Sequence, residues 1–209
     1  MEARKGSSHK EKTTMANSSS TGFGCKPIKM YGNGYENMGL GEYPVAASSS
    51  AIYFQDLVCQ AASGYAVVGI AGTEDIIGSL NGVFYTDATT SKPTFQNYLQ
   101  GSNTATDIVA LVNDSPLQQY EIRSNNTGAS AQTDVGNTAD IAYSAGGSPN
   151  YVSGATLDDS TLNNNADQQV KIIGVSRDPE NSDLTSANVV WRVIINQSFF
   201  LDTTGVLGG

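Results

Sequence analysis

Charge is scarce in this chain. Only 15% of its 209 residues are Asp, Glu, Lys or Arg, against roughly 25% in an ordinary soluble domain. Histidine is scarcer still. His9 is the only one and falls in a polar N-terminal stretch, so no Ser-His-Asp or Cys-His machinery can be built from the rest of the chain. The two cysteines, Cys25 and Cys59, form no CxxC pair, and with a single histidine they leave zinc too few ligands. They read as small apolar side chains kept reduced, with a disulfide left open. Neither GxGxxG nor GxxxxGK[ST] occurs, which removes the common phosphate cradles. No apolar run approaches the ~20 residues that cross a bilayer, and the N-terminus lacks the apolar core of a signal peptide. The expectation is therefore no metal, no cofactor and no membrane. There is no repeat of fixed period either, which argues against a propeller or solenoid.

What replaces charge is Ser, Thr, Asn, Gln and Gly. These residues suit turns and exposed strand faces, and most of them penalise helix interiors. The charge that remains is unevenly placed. Residues 1–29 carry six Lys/Arg against Glu2 and Glu11, a balance of +4; the other 180 carry five against eighteen Asp/Glu, a balance of −13. One reading is a solvated, slightly basic tail. The other is an arm that lies on an acidic partner while the acidic body faces solvent. Nucleic acid is a poor partner, because the body repels phosphate and its basic residues are scattered.

The stretch from Ile76 to Asp87 is β-branched and aromatic, with glycines at Gly78 and Gly82 where a strand can bend or bulge. It reads as one long strand, or as two shorter runs closed by an Asn81-Gly82 hairpin. Its partners are sought in the apolar runs Ile108–Val112, Val170–Val175 and Val189–Ile195, with Leu57–Gln60, Tyr65–Ile70 and the alternating Tyr120–Arg123 as further strands. The predicted core is Ile77, Val83, Phe84, Tyr85, Ile108, Leu111, Ile172, Val175, Trp191 and Val193. Residues 129–169 read as a long surface excursion with brief strands. No segment reads as a helix with any strength, so the expected fold is all-β: a single β-barrel or sandwich-like domain with an extended N-terminal arm and long surface loops.

The arm is assigned to residues 1–42 and the β domain to 43–209. Residues 1–14 are expected to be disordered, or to lie upstream of an alternative start at Met15. Phe23, Pro27, Ile28, Met30 and Tyr31 then supply spaced apolar anchors in backbone that Pro27 and the flanking glycines keep from helix. Such a segment lies across another protein, completes a sheet edge, or packs on its own domain. Carboxylates are the only catalytic material left. Asp107, Asp114, Asp134, Asp140, Asp158, Asp159 and Asp167 stand mostly beside turn residues, where capping explains them. Asp158-Asp159 lacks the ligand spacing of a calcium loop.

Several stretches carry a resemblance. Thr21-Gly22-Phe23-Gly24-Cys25-Lys26-Pro27-Ile28 follows a Met-Ala-Asn start, and Ile77-Gly78-Ser79-Leu80-Asn81-Gly82-Val83-Phe84-Tyr85-Thr86-Asp87 comes next. After them stand Ala105-Thr106-Asp107-Ile108, Ala131–Asp140 and Gln169–Val175. In this order, over residues 15 to 200, the chain resembles the head-decoration (capsid cement) proteins of tailed bacteriophages. It departs from them at residues 1–14 and at Cys25, where a larger aliphatic side chain is expected. The resemblance implies a non-enzymatic virion protein, made in the host cytoplasm and attached to the outside of the head, where it bridges subunits of the major capsid protein. It makes Phe23, Cys25, Lys26, Pro27, Ile28, Lys29, Met30 and Tyr31 a capsid-binding arm.

A short arm binds weakly alone, since ordering costs ~1–2 kcal/mol per residue while each buried anchor returns ~1.5–3 kcal/mol. Several arms acting together bind far better. A homo-oligomer is therefore expected, a trimer rather than a dimer. Two rivals stay open. One is a head fibre or receptor-binding protein whose Tyr143, Tyr151 and Asn163–Asn165 contact sugars. The other is a polysaccharide depolymerase working with paired carboxylates.

Overall fold

A computed structural model of the chain describes residues 17–32 and 39–201. Residues 1–16, 33–38 and 202–209, which include the Met15 start and the first part of the arm, lie outside them. Among the described residues strand accounts for 38% and helix for 3%, and the fold is all-β and sandwich-like. In chain order the strands are β1 (Lys26–Met30), β2 (Gly41–Pro44), β3 (Leu57–Gln60), β4 (Ala66–Val68), β5 (Ile76–Thr86), β6 (Pro93–Gln96) and β7 (Val109–Asn113). Then follow β8 (Gln118–Arg123), β9 (Thr138–Ala139), β10 (Ile141–Ala142), β11 (Thr156–Leu157), β12 (Val170–Val175) and β13 (Val190–Ile195). One sheet runs β1-β8-β13-β12-β9, the other β2-β7-β5-β3-β4 with β6 also on β5, and β10 pairs with β11 alone. Every strand pairing is antiparallel.

β5 is the spine. It pairs with β7 along one edge, and with β3 and then β6 along the other. The Asn81-Gly82 hairpin does not form; the strand runs through it, with a bulge against β7 between Leu80 and Gly82. Gly78 has to be glycine, because a Cβ there would lie 1.9 Å from the Asn113 carbonyl oxygen. Successive residues of β3 and β5 serve opposite faces. Leu57, Cys59 and Ile76 enter a first core with Tyr120, Ile122, Ile172, Trp191 and Val193 of the five-stranded sheet. Val58, Ile77, Leu80 and Val83 enter a second, closed by Tyr85, Ile108, Val112 and by Ile52 and Leu99 from connecting segments. Only a strand covered on both faces is expected to be this continuously apolar. Two buried side chains tie the layers: the Tyr120 hydroxyl donates to the Asn113 carbonyl at 2.9 Å, and Ser79 Oγ donates to the Cys25 carbonyl at 2.7 Å.

Most of the expected core is buried. Phe84 is the clear correction: it is 43% exposed, because the pleat turns it away from Val83 and Tyr85. Leu111 and Val175 are half-buried, Leu111 on the same outer side as Phe84 and Val175 against the rim of the first core. Residues 129–169 are also more than a surface excursion. Ala139, Ile141 and Leu157 are fully buried in the first core. Buried Gln169 secures that region: its Nε2 donates to the carbonyls of Ile70 and Thr73, and its Oε1 accepts from Ile141 N.

Candidate interaction surfaces

Residues 17–32 of the expected arm are extended, and they run along the body itself. Asn17 Nδ2 donates to the Asp183 and Ala187 carbonyls, both at 2.9 Å, while Ser18 N donates to the Glu180 carbonyl. Gly24, at φ +71°, then threads between Gln55 and Ser153, with Gly24 N donating to Ala155 O and Cys25 N to Gln55 O. Only glycine adopts this backbone without strain while leaving room for both neighbours. Cys25 is buried in the first core, and Lys26–Met30 is the edge strand paired with β8. Of the expected contact residues, Phe23, Pro27, Ile28 and Met30 are half-buried, whereas Lys26, Lys29 and Tyr31 are exposed. The structure therefore separates a buried anchor, Cys25, from three exposed side chains, of which Lys26 is paired with Glu121.

The stronger adhesive feature lies on the other sheet. Phe84 on β5 stands directly opposite Phe95 on β6, which is 62% exposed, and opposite Val109 on β7. Pro44 of β2 continues the row, and Leu111 flanks it across Gly82. The inward-facing neighbours Val83, Tyr85, Ala110 and Val112 are buried in the second core. One face of this sheet thus anchors the strands while the other offers a flat aromatic patch, the arrangement that marks an interaction site when the residues are contiguous. Alternation alone could not reveal it, because an apolar residue on either face of a strand looks the same in sequence.

Tyr98 stacks on Tyr151 with ring centroids 4.0 Å apart, and on Tyr53 at 6.3 Å, all nearly parallel. The stack clamps the segment around Tyr151 onto the segment preceding Leu99. Tyr143 is half-buried and Asn163–Asn165 are exposed in a separate turn region, near Thr138. The residues of the sugar-binding reading are therefore split, and Tyr151 has one ring face occupied by Tyr98. A groove of about 730 Å³ opens between Pro27 and Met30 of β1 and Leu40, Asn113, Asp114 and Gln118. Within it Asp114 accepts from the Tyr43 hydroxyl at 2.7 Å. Partial burial, together with that hydrogen bond, pushes the Tyr43 phenol up.

The carboxylates act locally. Asp87 caps its own turn through Thr89 and Thr90, which lowers its pKa. Asp107 accepts from Thr86 N, and Asp134 from Ala131 N. Asp158 accepts from Asn125, Thr127 and Ser160. Its neighbour Asp159 is buried, which pushes its pKa up, and accepts from Ser124 Oγ. Among the described residues no three His, Cys, Asp or Glu side chains converge. Sequence reasoning missed Asp56, which is fully buried beside the threaded leader.

Set against models of known families, curated proteins and solved structures, the chain matches none of them.

Proposed function

We propose that this chain is a decoration protein of a tailed-phage head, binding the outer surface of the shell and bridging subunits of the major capsid protein. The observation that carries the reading is the Phe84–Phe95–Val109–Leu111 face: an aromatic patch on a sheet whose opposite face is fully committed to a core. Adhesion needs rigid complementary area, and this patch supplies it without ordering cost. The resemblance over residues 15 to 200 names the partner, and the two-sheet body suits a part that carries load. Half-exposed aromatics contribute only a few kcal/mol per copy, so attachment draws on multivalency, and the protein acts as a homo-oligomer, a trimer rather than a dimer.

The test is to mix the purified full chain with undecorated heads and image them. Density on the outer surface touching two capsid subunits is expected. A Phe84→Ser/Phe95→Ser variant, folded as judged by circular dichroism, should lose most of that density. Heads that stay bare with the unaltered protein overturn the proposal. Binding to a glycan array by protein that ignores heads supports the receptor-binding reading instead.

A further inference from the structure

Most cations among the described residues are gathered on one sheet. Of the seven Lys and Arg among the described residues, Lys26, Lys29, Arg123, Lys171 and Arg192 sit on the five-stranded sheet, and none on the six-stranded one. Only Glu42 and Glu121 are acids on strands. Two bulges produce the grouping. Lys26 and Lys29 are three residues apart and would face opposite sides of a regular strand. The irregularity between Pro27 and Lys29 sets Lys26 against Glu121 and Lys29 against Gln119, on the outer face opposite the buried Tyr120 and Ile122. In β12 a second bulge pairs Lys171 with Ile194 and Gly174 with Arg192 on that same side. Arg192 lies over Gly174, where a Cβ would come within 2.5 Å of its Nη2.

Like charges on neighbouring strands repel, and Glu121 relieves part of this between Lys26 and Arg192. It forms the one ion pair found among the described residues, with Lys26 at 3.7 Å. Lys29 and Lys171 are exposed, and among the described residues neither has a carboxylate within ion-pair distance.

We infer that the outer face of the five-stranded sheet, through Lys26, Lys29, Lys171 and Arg192, is a second contact surface that docks on an acidic protein surface. On the decoration reading, on which this rests, that surface belongs to the shell, and the aromatic patch meets a different subunit. Bridging requires two such faces, and the sandwich presents them on different sheets. A local cationic patch acts over about a Debye length, ~8 Å at physiological salt. That range suits a protein surface with spaced carboxylates, while a long polyanion would also feel the repulsive remainder of the molecule.

The experiment measures cosedimentation of the full chain with undecorated heads from about 0.05 to about 0.5 M salt. Lys29→Glu/Lys171→Glu, with Lys29→Gln/Lys171→Gln as the milder pair, is expected to weaken binding by about tenfold and to flatten its salt dependence. Lys92→Glu, at one of the two described cations outside both sheets (the other is Arg177), should change binding less than about twofold. A double variant that binds like the unaltered protein, or a Lys92→Glu loss of equal size, overturns the inference and leaves the decoration reading standing. If the unaltered protein ignores heads, that reading fails and a polyglutamate matrix decides the inference. Retention that the double variant loses supports the face, whereas no retention, or preference for duplex DNA or anionic vesicles, overturns it.

Discussion

Asp56 is the residue whose chemistry is most at odds with its surroundings. It is fully buried, accepts from Tyr53 N at 2.7 Å, and keeps Oδ1 without a hydrogen-bond partner. Burial outweighs its hydrogen bonds and pushes the carboxyl up to about 6, from an ordinary 3.8. The folded protein therefore holds this proton more tightly than the unfolded chain does. Its contribution to stability is full below about pH 4, falls as pH rises, and is lost above about pH 6; the difference is roughly 3 kcal/mol. Asp56→Asn keeps an acceptor for Tyr53 and removes the charge. It should raise stability at pH 7 by roughly 1–3 kcal/mol and flatten the slope between those limits, as read by urea unfolding at several pH values. The two thiols make a second residue-scale case. Burial pushes Cys59 up to about 12 and Cys25 higher, so neither forms thiolate at neutral pH. A thiol reagent should find none in the native protein and two after denaturation; rapid native labelling would show that the leader does not hold Cys25 in the core.

At the scale of elements, the leader is a structural strand before it is anything else. Deleting residues 1–16 removes none of the hydrogen bonds that tie Asn17, Gly24 and Cys25 to the body, so the thermal midpoint should move by no more than a few degrees. Deleting residues 1–29 removes Cys25 and most of β1, leaving the β8 edge unpaired and the first core open beside Tyr120. That protein should aggregate, or show Trp191 emission shifted towards that of exposed indole. A soluble 30–209 fragment with native Trp191 emission would show that the strap is dispensable. β1 also explains how a sheet edge stays soluble. Pro27, a bulge and two lysines occupy its five residues, each of which discourages pairing with a stray strand.

For the whole molecule, the two cores share β3 and β5, so neither can melt while the other stands. Leu80→Ala lies in the second core, yet it should lower the unfolding midpoint followed through Trp191 in the first. The expected loss is about 2–5 kcal/mol. Trp191 fluorescence and far-UV circular dichroism should trace one transition; separated midpoints would mean that the layers are independent units. The faces divide the molecule chemically as well, with an aromatic patch on the six-stranded sheet and five of the seven described cations on the five-stranded one.

Apolar runs and turn residues were enough to place the central strands, though not β1, β6 or the short strands of residues 129–169. Leu57–Gln60 and Val170–Val175 form over the expected residues, and the long run from Ile76 reads as a two-sided strand because only burial on both faces tolerates such continuity. The all-β class follows from the same local preferences, since they act within a few residues. What faces where depended on pairing. A bulge reverses every side chain beyond it, so the convergence of Lys26, Lys29, Lys171 and Arg192, and the outward turn of Phe84, were fixed only when strands far apart in sequence came into register. The leader is the same case. Its spaced anchors fit its own body or a partner equally well until Gln55 and Ser153 close around Gly24, because a sequence records which surfaces are apolar but not which surface arrives to cover them.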